Sequence, residues 1–100
     1  MKIPKKFKLA GQTITVELRD DLIQEENMQG EAHYRFNRIR LQKDNKGEKR
    51  IIEQIEESFC HELVHWILKV MEEEKLNDDE KFISVFARFL HQALNSFEDD

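Results

Sequence analysis

Cysteine is almost missing from this chain of 100 residues, and the single one, Cys60, excludes an intramolecular disulfide framework. No apolar run approaches the roughly 20 residues that a membrane-crossing helix needs. The opening segment, Met1 to Lys8, lacks the unbroken apolar stretch of a signal peptide because lysines interrupt it. The expectation is therefore a soluble, cytoplasmic protein. A basic surplus is missing too. The net charge is −5, with both signs mixed along the chain, which argues against nucleic acid as the main partner. Lys2, Lys5, Lys6 and Lys8 are a local exception and read as a solvated strand end. Internal repeats and low-complexity tracts are absent.

What is present suffices for one folded domain over residues 1–100. Hydrophobic residues make up 39% and aromatics 9% of the chain, enough for a packed core. The first half reads as strand. Phe7 and Leu9, then Ile14, Val16 and Leu18, alternate with polar residues around Gly11-Gln12, which is a hairpin signal. Asp20 to Gln29 reads as an acidic connector, and Gly30 opens a third extended run, Glu31 to Gln42, with Ile39 and Leu41 on one face. Asp44-Asn45-Lys46-Gly47 reads as a loop. The second half reads as helix. From Glu48 to about Met71 the apolar residues Ile52, Ile55, Phe59, Leu63, Trp66 and Val70 recur at three- and four-residue spacing. After a break at Leu76-Asn77, a second helix, with Asp78 and Asp79 as its N-cap and first-turn residues, runs to about Phe97 and turns Phe82, Val85, Phe86, Phe89, Leu90 and Leu94 inward. Strands followed by helices predict an α+β domain, with a small three-stranded antiparallel sheet packed on two helices.

The chemistry concentrates in His61-Glu62-Leu63-Val64-His65. Residues four apart on a helix project about 40° from each other, one turn above the other. Two imidazoles so placed can reach one zinc ion at about 2.0–2.1 Å. Glu62, about 100° round the helix from His61, falls beside the metal, where a carboxylate can take a proton from water acidified by the ion and pass it to a leaving amine. Cys60 points away from His61 and reads as a core thiol.

Two histidines leave zinc short of ligands. Glu72 falls on the same helical face but about 10 Å along the axis from His65, too far to share the ion. Glu80 and His91, both on the second helix, are the candidates. A first helix running straight to Lys75, with an antiparallel return from Asp78, would leave Glu80 roughly 15 Å from the level of His65 and favour His91. Glu80 becomes the ligand if the first helix ends or bends near Val70, or if the second crosses it steeply.

The run Ser58-Phe59-Cys60-His61-Glu62-Leu63-Val64-His65-Trp66 resembles the active-site helix of gluzincins, the thermolysin-type zinc peptidases. Glu80, followed six residues later by Phe86-Ala87, is similar to the glutamate helix of their small relatives, and Gly30 with Asn37-Arg38-Ile39-Arg40-Leu41 to their cleft-lining edge strand. With its length, the chain most resembles the minigluzincins, single-domain proteins described as latent. The resemblance implies a minimal zincin-like fold, a zinc cofactor held by His61, His65 and Glu80, Glu62 as the catalytic base, and endopeptidase activity. It also implies a peptide or protein substrate added along a sheet edge. Ser84 stands where thermolysin-like enzymes carry an Asp that orients a histidine ligand. At 100 residues the chain is expected to be too short for the second subdomain that normally supplies a transition-state donor, and His33, Tyr34 and Arg35 are candidates to replace it. The acidic end, Glu98-Asp99-Asp100, reads as frayed; folded back, it would offer the zinc a carboxylate and block the site. A zinc-binding regulator that keeps the scaffold without cleaving is the alternative function.

Overall fold

The computed structural model describes residues 1–23, 28–45 and 48–97. It shows an α+β architecture, with strands β1 (Lys6–Leu9), β2 (Gln12–Arg19), β3 (Gly30–His33) and β4 (Arg38–Gln42) forming one sheet. Helices α1 (Ile52–Val70), α2 (Glu74–Asn77) and α3 (Glu80–Asn95) follow. Between them, β5 (Asp44–Asn45) and β6 (Glu48–Lys49) make a small separate ribbon.

The expected hairpin forms. β1 and β2 pair antiparallel with Leu9 opposite Gln12, and Ala10 and Gly11 take φ values of 50° and 78° at the turn. Two consecutive positive φ values match the right-handed twist of the flanking strands. The three-stranded antiparallel sheet does not form. The sheet has four strands in the order β1-β2-β4-β3, and β2 runs parallel to β4, with Val16 opposite Ile39 and Leu18 opposite Leu41. The cause is a reversal inside the run expected to be one strand. Tyr34–Phe36 form a 3₁₀ turn that ends on Asn37 at φ 50°, so Glu31 to Gln42 folds back on itself as the antiparallel pair β3/β4. Asn is one of the few residues that occupy this left-handed region at low cost.

Two boundaries also differ. Asp44–Asn45 and Glu48–Lys49 pair as strands, so α1 begins at Ile52, and the Lys46-Gly47 part of the expected loop lies outside the described residues. So do residues 24–27 of the acidic connector and the end, 98–100.

α1 lies between the sheet and α3. Ile14, Ile39 and Leu41 from the sheet, Ile55, Phe59, Cys60, Val64, Trp66 and Leu68 from α1, and Ile83 and Ala87 from α3 form one buried cluster. Trp66 donates its indole N–H to the Arg38 carbonyl at 3.1 Å, tying α1 to β4. Leu18 is exposed. The inward face of α3 is also corrected: it buries Ile83, Ala87 and His91. Val85, Phe86 and Phe89 are exposed, and Phe82, Leu90 and Leu94 are half-buried. The helix is apolar on two faces, so periodicity alone selected the wider, aromatic one.

The end of α1 positions everything downstream. Glu72 takes φ 60°, the Glu73 N–H bonds the Leu68 carbonyl at 3.0 Å, and the Glu72 N–H bonds the Lys69 carbonyl at 3.1 Å. These two bonds define a Schellman termination, which normally places glycine at the left-handed residue. Glutamate there carries a conformational cost of about 1 kcal/mol. Glu72→Gly should therefore raise stability by about 0.5 kcal/mol, measured as the urea midpoint at unchanged m-value.

Candidate metal centre

Because α1 stops at Val70 and the chain turns through α2, α3 starts level with the histidines instead of far below them. Asp79 caps α3 by accepting the Phe82 N–H at 3.0 Å, which places Glu80 in the first turn, where the helix dipole favours a negative charge. The Glu80 carboxylate spans both imidazoles. One oxygen lies 3.2 Å from His61 Nε2 and the other 3.1 Å from His65 Nε2. The three donor atoms lie within 4.8 Å of one another.

The protonation state of these groups decides what fits between them. Burial, and then the neighbouring His65, lower the His61 pKa, with Glu80 opposing, so His61 is neutral at pH 7. For His65 the tautomer follows from its neighbours. Asn77 Nδ2 donates to Tyr34 Oη at 3.2 Å, which leaves Asn77 Oδ1 facing His65 Nδ1 at 2.6 Å. An amide oxygen only accepts, so Nδ1 carries a proton and Nε2 is the nitrogen that faces Glu80. Two imidazole nitrogens and a carboxylate thus converge on one point. A tetrahedral zinc site has donor–donor edges of about 3.3 Å, close to the two separations at Glu80. The donor set fits a divalent cation.

Glu62 lies beside this cluster, 8% exposed. Burial raises its pKa to about 8, with Glu80 raising it further, a backbone hydrogen bond from Ala32 opposing and Glu31 adding to the rise. Room for the carboxylate comes from Gly30, where a Cβ would lie 3.1 Å from Glu62 Oε2 and 3.3 Å from its Cγ.

The other sequence candidates are engaged elsewhere. His91 Nε2 lies 2.7 Å from Glu56 Oε1 in a buried pair between α3 and α1. His33 Nδ1 accepts from Arg38 Nε at 2.8 Å, and Arg35 sits over the Phe36 ring. The Tyr34 hydroxyl reaches the His65 carbonyl at 3.4 Å besides Asn77, and burial raises its pKa. Cys60 is buried, and burial, followed by Glu56 and Glu57, raises its thiol to about 11. Ser84 makes no hydrogen bond to either histidine among the described residues; the orienting partner is Asn77, on His65. Sequence reasoning missed Asn77 because it falls in the inter-helix break and reads as a helix stop. Its polar side chain ahead of two aspartates was the available signal. Asn77→Ala should weaken metal binding about 10- to 100-fold while leaving the helices intact, measured by competition with a chromophoric chelator and by circular dichroism.

Among the described residues no helix is long and apolar enough to cross a membrane. Comparison with protein-family models, curated proteins and solved structures gives no match, so the gluzincin resemblance rests on the motif residues themselves.

Proposed function

We propose that this chain is a zinc-dependent endopeptidase on a minimal zincin-like scaffold, with His61, His65 and Glu80 as metal ligands and Glu62 as the proton carrier. The observation that carries the reading is the Glu80 carboxylate bridging two imidazoles, with a buried glutamate alongside that has no ion pair among the described residues. Zinc, when bound, would supply Lewis-acid chemistry, polarising a carbonyl and lowering the pKa of water to about 7. Glu62 takes a proton from the attacking water at its carboxylate and gives it to the leaving amine nitrogen. Its raised pKa suits that exchange, since a carboxylate that titrates near neutrality both accepts and releases protons. Gly30 and Ala32 hold it in place from β3. β3 is also an edge strand, so an extended substrate would bind along it by main-chain hydrogen bonds, the mode in which a sheet edge accepts one more strand.

One observation favours a second reading, a zinc-binding regulator that does not cleave. Among the described residues His33 and Tyr34 are hydrogen-bonded to other partners, which leaves of the three candidate donors only Arg35, exposed beside the Phe36 ring. The deciding experiment is elemental analysis of protein purified without chelators, together with cleavage of an unfolded substrate such as casein. One zinc per chain and chelator-sensitive cleavage support the peptidase. Zinc without cleavage, persisting when residues 96–100 are trimmed, moves the assignment to the regulator. No zinc, before or after its addition, overturns both.

A further inference from the structure

A cavity of about 540 Å³ opens beside Glu62 and His61, walled by β3, the start of α1 and the middle of α3. Gly30, Ser58 and Ser84 line it, and so do two arginines, Arg50 and Arg88. Two cations on one cavity stand out in a chain of net charge −5. Among the described residues neither has a counter-charge. Arg50 donates to the Gln42 carbonyl at 2.6 Å, the Ser58 hydroxyl at 3.1 Å, and Gln29 Oε1 and the Gln54 carbonyl at 3.3 Å. Every one of these acceptors is neutral. Burial lowers the Arg50 pKa, the mark of a cation that has lost solvent without gaining an anion. Arg88 makes no hydrogen bond or ion pair among the described residues. Glu57 and Glu62 also line the cavity, but neither pairs with an arginine among the described residues, and the Glu62 carboxylate lies against Gly30. A guanidinium held by neutral acceptors, with a second one lining the same cavity from α3, provides the planar, charge-assisted donors that carboxylates fit.

We infer that this cavity is a recognition pocket for a carboxylate of the peptide, contributed by an Asp or Glu side chain next to the scissile bond or by the terminal carboxylate of the chain, with Arg50 and Arg88 as its binding residues. The inference rests on the peptidase reading for its ligand class, and it is independent of whether cleavage occurs. Arg50 pins β4 to α1 and supports the fold as well, whereas Arg88 is exposed on α3 and can be changed without disturbing the core.

The test uses full-length Glu62→Gln protein with zinc added and fluorescent eight-residue peptides of one apolar sequence. The peptides carry Glu, Gln or Lys at a single scanned position, each with a free or an amidated C-terminus. Binding is followed by anisotropy at low salt. The expected result is binding of the Glu peptide, or of the free-terminus peptide, about tenfold tighter than its neutral counterpart. Arg88→Gln, made in the same background, should cut that preference to about threefold or less, and Arg88→Glu should abolish or reverse it. A preference that follows the side chain identifies an acidic residue as the source; one that follows the terminus identifies the chain end. Equal binding of all peptides, a preference unchanged in Arg88→Glu, or no binding at millimolar concentration overturns the pocket. Cleavage of the same peptides by the wild type is scored separately. An acidic preference without cleavage removes the peptidase and keeps the pocket, and cleavage without preference does the reverse.

Discussion

Glu80→Ala is expected to lower zinc affinity by about 100-fold or more, while His91→Ala leaves it within about threefold. The two residues share a helix and were both open as third ligand on spacing alone. In the fold, Glu80 lies 3.1–3.2 Å from both imidazoles, whereas His91 is paired with Glu56 in the interior. Removing a ligand should cost more than removing a residue that orients one, for which losses of 10- to 100-fold are typical. His91→Ala should show itself in a different measurement. It leaves the Glu56 carboxylate buried with only an Asn95 contact at 3.4 Å, and breaking such a pair costs about 3 kcal/mol of stability. Chelator competition and urea unfolding on both variants separate the outcomes. Equal zinc loss in the two, or loss in His91→Ala alone, would sink the ligand assignment and the gluzincin reading with it.

Glu62→Gln is expected to retain zinc and to lose cleavage by about 10²- to 10⁴-fold. The amide has nearly the shape of the carboxylate but cannot carry a proton through the reaction. The same substitution tests the electrostatics of the metal-free fold. With a folded pKa of about 8 against an ordinary 4.5, the folded chain binds the Glu62 proton more tightly than the unfolded chain. Its contribution to stability is therefore fully present below about pH 4.5 and is lost as pH rises through 8. Over that window the wild type should lose stability, by at most about 5 kcal/mol for a shift of this size, and Glu62→Gln should lack that slope. At pH 8.5 the metal-free variant should melt above the metal-free wild type. A wild type that melts at or above the variant throughout pH 5–9 would contradict the burial cost assigned to this carboxylate.

Helices were more legible in the sequence than strands, for a physical reason. α1 has a long amphipathic repeat anchored by Phe59 and Trp66, and the histidine pair could be placed on it by spacing alone. The sheet depended on one residue. Asn37 at φ 50° turns an apparently continuous strand back on itself, and that reversal converts three antiparallel strands into four with a parallel pair. Single-residue left-handed conformations leave no trace in hydrophobic periodicity. Glu72 behaves similarly. Its positive φ ends α1 without a glycine to announce it, and this is why Glu80 stood within reach of the histidines on one reading of the spacing and far from them on another. Asn77 and Gly30 were invisible as site residues because their roles are contacts across the fold, with His65 and Glu62 respectively.

The three donor residues lie within a stretch of 20 consecutive positions, His61 to Glu80, while the groups that press on Glu62 from the sheet belong to β3, about 30 positions upstream. The candidate donor set is thus contained in one helical stretch, whereas the acidity of Glu62 is set jointly by Glu80 within that stretch and by β3 outside it. On the proposed reading, substitutions in β3 would retune the acidity of Glu62 while leaving all three donor residues in place. Changes confined to one short strand would then be enough to separate cleaving from merely binding.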